Sequence, residues 1–377
     1  MKNILFITDI GSPWGGSEEL WSKSAIELVK KGYNVSAVTN YFGKPYHFKT
    51  NNVIDNGVQV YFRKNKLRDN IRKVAQKLNK KIVSDNIKTN TESILNKLKP
   101  DLVVFSQSSC FSAYKDMLFC YENGYKYCSV SQLNLEFNWP NDNTFLEIRR
   151  AFVNAEKTFF VSQGNLDLFQ TQIAHSLVNA EVISNPYNFD KVPDLSWPNM
   201  DKIRFAYVAR LAFNHKGTDI LFKAFAQEQW KDRNFELNIY GGGDIELAKE
   251  TAKYLGVHNI NFKGHVNSIE DIWKDNHALV LSSRYEGMPL SIIEAMFSKR
   301  VVITTDVAGH AEFIEDEVNG YLADAASYKL YANTLEKAWE GRNNWENMGK
   351  NAFTMVIAKS TSDPVKVFSD KLQDVLQ

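Results

Sequence analysis

The chain lacks any run approaching the ~20 consecutive apolar residues of a membrane span. Its N-terminus, MKNILFITDIG, breaks a short apolar stretch at once with turn residues, which predicts a first strand and no signal segment. Cysteine is scarce. Cys110, Cys120 and Cys128 form an odd set without metal-type spacing, which argues against a disulfide framework and for a reducing compartment, the cytoplasm. A surplus of charge is missing too: Lys and Arg total 45 against 44 for Asp and Glu. No global field therefore draws the chain to nucleic acid, and a charged ligand has to be met locally. Neither the dinucleotide fingerprint G-x-G-x-x-G nor a P-loop occurs, which counts against a Rossmann dehydrogenase and an ATP-driven phosphotransferase. There is no convincing Asp-x-Asp metal motif.

At 377 residues the chain exceeds the usual size of one core, and 44% hydrophobic residues can fill two. An apolar strand at 4–7, the loop GSPWGGSEE, helical spacing over 20–29 and a strand at 34–39 make a βαβ unit, with a right-handed crossover in a parallel sheet. Further strands are expected at 101–105, 126–130 and 158–161. Periodicity lapses at Asn185, Pro186 and Tyr187, and the residues through Pro198 are rich in Pro, Asp and Asn. The domains are accordingly placed at 1–190 and 191–360. The second series predicts strands at 203–208, 235–240, 260–262, 278–281 and 301–304, with helices at 219–225 and 330–339. The fold class is α/β: two similar domains with parallel sheets, expected to face a central cleft and to bind ligands at the strands' carboxyl ends.

The richest stretch is 284–294, RYEGMPLSIIE, which sets Glu286 and Glu294 around a glycine turn and a helix start. Pro289 suits the first helical position, leaving the amides of Leu290 and Ser291 without intrahelical partners, an arrangement that attracts phosphate. The alternative is a loop carboxylate at Glu286 and a helix-dipole complement at Glu294. Gly15 and Gly16 permit close approach of a ligand after the first strand, and so does Gly242 in the loop GGGD; tight or flexible turns explain them equally. Arg210 and Lys216, in RLAFNHKGTDIL, could clamp a diphosphate ahead of a helix capped by Thr218 or Asp219, or be solvated surface cations.

Taken together, GGSEE at 15–19, VARLAFNHKGTDIL at 208–221, IYGGGD at 239–244, FKGHV at 262–266, RYEGMPLSIIEAMFSKRVVITTDVAGHAEFI and DEVNGYLAD at 316–324 resemble the retaining glycosyltransferases of family 4. The resemblance spans nearly the whole chain and implies the GT-B fold, two Rossmann-like domains around a cleft. It implies a nucleotide-sugar donor, UDP-linked, and a saccharide or lipid-linked acceptor, in polysaccharide or glycoconjugate biosynthesis. By the same resemblance Glu286, Arg210 and Lys216 are catalytic, with Glu286 at the donor sugar and the two cations on the diphosphate. Glu294 accepts from the ribose hydroxyls, Gly287, Met288, Pro289 and Leu290 present backbone to sugar and phosphate, and Gly15, Gly16, Gly242, His265 and Val266 complete the donor contacts. No metal or other cofactor is expected. Where many relatives carry a histidine this chain has Gln132, a candidate sugar contact that cannot titrate, so no side-chain base is expected and the leaving phosphate takes that role. Asn134 and Glu136 are read as structural. The terminal segment 361–377 is expected to pack back on the first domain.

Between 63 and 88 the chain is strongly basic, with Leu67, Ile71, Val74, Leu78 and Ile82 at helical spacing. It reads either as an ordinary domain helix with a solvated face or as a peripheral contact with anionic lipid at the membrane's inner face. Rival readings of the whole chain are a sugar-nucleotide epimerase on the same fold and a non-catalytic glycan-binding member.

Overall fold

The computed structural model describes residues 1–63, 91–189, 191–266 and 268–377. The basic helix expected at 63–88 therefore lies, apart from Arg63, outside the described residues. The chain forms two units. The first comprises Met1–Val161, Asn165–Pro186 and Ser362–Gln377, and the second Ser162–Gly164 and Tyr187–Thr361. No described helix is long and apolar enough to cross a membrane.

The first unit is a seven-stranded parallel sheet: β1 (Asn3–Thr8), β2 (Asn34–Asn40), β3 (Gln59–Arg63), β4 (Leu102–Gln107), β5 (Tyr127–Ser131), β6 (Lys157–Phe160) and β7 (Ala180–Val182), in the order β3-β2-β1-β4-β5-β6-β7. Ile4 sits between Val35 and Leu102 in register. All six residues of β4 are buried, as a strand covered on both faces requires. Helices supply the cover, and one comes from the far end of the chain. Phe368, Leu372 and Leu376 of helix Pro364–Leu376 join Leu20, Trp21 and Leu28 of helix Glu18–Lys30 in one buried cluster, with Lys31 Nζ 2.8 Å from Asp370. Cys110, Cys120 and Cys128 are free and buried, and burial pushes each thiol up to about 12, so none supplies a thiolate.

The second unit has six parallel strands: β8 (Ile203–Val208), β9 (Phe235–Tyr240), β10 (Ile260–Gly264), β11 (Ala278–Val280), β12 (Val301–Thr305) and β13 (Tyr321–Ala323), in the order β10-β9-β8-β11-β12-β13. Phe205 at its centre meets Phe225, Trp230, Phe235 and Trp345 edge to face. In both sheets chain order reverses about one central pair, β1/β4 and β8/β11. Open α/β sheets bind ligands beyond the carboxyl ends of such pairs, where the loops diverge and leave a crevice. The strands β3, β7 and β13 had no sequence signal. They are edge strands of five, three and three residues.

Glu18, the first residue of helix Glu18–Lys30 after the glycine loop, is 2% exposed and accepts from Thr8 Oγ1 at 2.8 Å and Trp21 Nε1 at 2.9 Å. Burial outweighs those two bonds and pushes its carboxyl from 4.5 to about 7. The folded chain then holds a proton that the unfolded chain releases above 4.5, so stability falls as pH rises from 4.5 towards 7 and levels off beyond. Glu18→Gln should remove this term. Chemical denaturation should show the variant gaining roughly 2–3 kcal/mol on wild type between pH 5 and 8; a gap independent of pH would refute the buried proton.

Candidate active site

The reversal between β8 and β11 brings two loops together at the carboxyl edge of the second sheet. After β8 the chain passes the exposed Arg210 and enters the short helix Phe213–Lys216, which delivers His215 and Lys216. Gly217 ends it at φ +62°, where a Cβ would lie 1.9 Å from the Ser282 carbonyl oxygen just past β11. Only glycine fits there. Ser282 Oγ donates to the Gly217 carbonyl at 2.7 Å, and the Arg284 amide donates to the His215 carbonyl at 2.8 Å. Arg284 also grips Asp219 with both ends of its fork, at 2.8 and 2.9 Å, and donates to the Phe213 carbonyl at 2.6 Å. Neither Thr218 nor Asp219 caps the helix Thr218–Phe225, contrary to the sequence expectation: Gly217 takes that position, because the Asp219 carboxylate is committed to Arg284.

These ties fix Glu286. It is 5% exposed, and its Oε1 accepts from Lys216 Nζ at 2.5 Å and Ser283 Oγ at 2.7 Å. His215 Nε2 stands 3.5 Å from Oε2, its ring stacked on Tyr285 with centroids 4.4 Å apart. Burial alone would raise the carboxyl, but the Lys216 charge, with the His215 contact beside it, holds it well below the usual 4.5. Glu286 is an ionised acceptor. Glu294 is its electrostatic opposite. In the second turn of helix Leu290–Phe297 it is 4% exposed and accepts from Asn188 Nδ2 at 2.8 Å, and burial pushes its carboxyl up.

Pro289 is not the first helical residue. It precedes the helix with ψ 118°, and its carbonyl accepts from the Ile292 amide at 3.1 Å. Proline fixes φ but leaves ψ to the turn from Gly287 and Met288, so the helix opens one residue later, with the Leu290 and Ser291 amides at its end. Gly242 is exposed in the loop after β9, and its carbonyl accepts from the Leu211 amide at 2.7 Å. The tight contact belongs to its neighbour Gly243, at φ +116° with a Cβ position 2.3 Å from the Leu211 oxygen. His265 and Val266 follow β10. They share the carboxyl edge but lie three strands from β11, and no described hydrogen bond joins them to Glu286.

Gly15, Gly16 and Gln132 belong to the first unit. A Cβ on Gly16 would meet nothing within 4 Å, whereas one on Gly15 would lie 2.9 Å from Ile10 Cδ1. Gln132 is buried and accepts from Asn185 Nδ2 at 2.8 Å, with its own Nε2 unpartnered among the described residues. Asn134 pairs twice with Asn165, at 3.0 and 3.2 Å, in keeping with a structural part. Sequence reasoning missed Asn188, His215, Ser283, Arg284 and His310 as members of the site. His215 adjoins Lys216 and was open to notice; Asn188 lies in a stretch that reads as linker.

The family model for glycosyl transferases group 1 matches residues 193–355. An uncharacterized glycosyltransferase of Haemophilus influenzae is 26% identical over 340 residues, covering 86% of each chain. The poly(ribitol-phosphate) alpha-N-acetylglucosaminyltransferase of Staphylococcus aureus is 29% identical over 210 residues, covering 54% of this chain but only 41% of that enzyme. Among solved structures, Anabaena HepE in complex with UDP superposes with a TM-score of 0.70 at 17% identity, covering 100% of this chain and 99% of HepE, a likeness of fold. Two parallel sheets of this kind are the GT-B architecture, and residues 193–355 within them match the family of group 1 glycosyltransferases.

Proposed function

We propose that this chain transfers a sugar from a UDP-sugar to a saccharide or lipid-linked acceptor, with retention of anomeric configuration. The observation that carries the reading is the buried Lys216–Glu286 pair at the β8/β11 reversal, 2.5 Å between Nζ and Oε1. An ammonium has three N–H donors. One is given to Glu286, which leaves two for a leaving diphosphate as it gains negative charge; Arg210, exposed and without an ion pair among the described residues, adds a second cation. Contacts that strengthen as charge develops favour the transition state over the bound donor. These cations, with the helix end at Leu290, do the work of a divalent ion, so no metal is needed. Glu286, ionised, accepts from hydroxyls of the donor sugar, and Glu294 exchanges Asn188 for the ribose hydroxyls. The acceptor's proton leaves with the diphosphate oxygen. UDP in the HepE complex supports the choice of nucleotide, and the resemblance to the retaining family motivates the stereochemistry.

Incubation with UDP-sugars should release UDP, and proton NMR of the product should show the donor's anomeric configuration kept. An interconverted sugar without UDP release would favour the epimerase instead. Excess chelator should leave the rate within about twofold, and a loss restored by a divalent cation would refute metal independence. Among variants, Glu294→Ala should weaken UDP binding roughly 10- to 100-fold, because buried hydrogen bonds to a carboxylate are lost. Glu286→Gln should instead lower kcat by about 100-fold with UDP affinity little changed. Lys216→Ala should reduce kcat/KM by roughly 100- to 1,000-fold, and wild-type turnover would dismiss the clamp.

A further inference from the structure

One buried group beside this site has no part in the chemistry so far. His310 opens the helix His310–Phe313 after β12 and is fully buried. Its Nδ1 lies 2.7 Å from the Thr305 carbonyl oxygen and 3.0 Å from Thr304 Oγ1. A carbonyl oxygen can only accept, so Nδ1 carries the proton and the neutral ring presents Nε2 as a lone-pair acceptor. Burial keeps the ring neutral, pushing its pKa down to about 4 against the opposing pull of Glu286. Among the described residues nothing bonds Nε2.

That acceptor stands close enough to Glu286 and Lys216 to be coupled electrostatically to both. The neighbouring Gly309 is packed against the Met288 side chain, on the turn that leads into helix Leu290–Phe297. The donors described near it are directed at other atoms. Lys216 and Ser283 give to Glu286, and Thr305 Oγ1 gives to the Ser283 carbonyl at 2.7 Å. A bare acceptor in such surroundings costs free energy until an outside donor meets it. Phosphate oxygens cannot do so, being acceptors themselves; a hydroxyl can.

We propose that His310 Nε2 accepts a hydrogen bond from a hydroxyl of the donor sugar, beside the hydroxyl taken by Glu286, and so selects the sugar rather than the nucleotide. The inference rests on the glycosyl-transfer reading of the site. It separates His310 from Glu294 and Lys216, whose contacts are to the nucleotide.

The test uses the full chain with UDP-glucose, UDP-galactose, UDP-N-acetylglucosamine, UDP-N-acetylgalactosamine and GDP-mannose, and free UDP as the sugar-less reference. For the donor that wild type consumes, His310→Phe should raise Kd and KM roughly tenfold while Kd for UDP stays within about twofold, and His310→Gln, which keeps an acceptor, should recover most of the loss. Donors lacking one sugar hydroxyl at a time should include one that loses the same factor on wild type and nothing further on His310→Phe. Should that variant fail to fold, His310→Ala carries the same comparison. Equal losses for UDP and the sugar nucleotide, or deoxy losses that all add to that of the variant, would assign His310 a structural part only. If wild type binds and consumes none of the five donors, the glycosyl-transfer reading falls and this inference with it.

Discussion

The contact on which the second unit's site depends is the ion pair between Lys216 and Glu286, held under cover at the point where the order of strands reverses. A carboxylate at 5% exposure would ordinarily take up a proton, since burial disfavours its charged form. Lys216 prevents that, but only because its own position is determined. The Gly217 turn lies against the Ser282 carbonyl closely enough to exclude any side chain, and the Arg284–Asp219 fork ties the end of β8 to the end of β11. The charge state of one glutamate therefore follows from a glycine turn and from a second ion pair between the same two loops. Loosening any of these would let Lys216 turn to solvent, and Glu286 would then exchange its ionised state for a neutral one.

The two glutamates of the motif differ for the same kind of reason. Burial raises both carboxyls, but Glu286 has the Lys216 cation beside it and moves down on balance, whereas Glu294, whose partner among the described residues is the Asn188 amide, moves up. A carboxylate fixed in its ionised form suits a site where charge develops next to it. One satisfied by a neutral amide can change partner for a hydroxyl at little cost, since one neutral donor replaces another. Seven residues separate them in sequence; their partners lie 70 residues away in one case and 106 in the other.

That distance explains what could be read from the sequence. The strands β1, β4, β8 and β11 are near-continuous apolar runs, and β12 is apolar through Ile303; buried parallel strands must be so. Glu286, Arg210 and Lys216 lie near strand ends and glycines and Glu294 on the helix that follows, each with a structural alternative, and it was the family resemblance that gave them roles. Asn188 was invisible because nothing local distinguishes an asparagine in a linker from one that reaches a buried carboxylate 106 positions on. Pro289 was misplaced by one residue since its ring constrains a single dihedral and the turn decides the other.

His310 shows the same rule at its sharpest. In sequence it is one histidine in DVAGHAEFI, with no periodic or compositional sign of a role. In the fold, the Thr305 carbonyl decides its tautomer, and the tautomer decides that the free nitrogen accepts. Coupled to an ionised carboxylate that already accepts from Lys216 and Ser283, that nitrogen adds a second acceptor. A ligand bearing adjacent hydroxyls supplies what the pocket lacks, while a bare diphosphate does not. Selectivity for a sugar over its nucleotide can thus arise from a main-chain oxygen that touches neither.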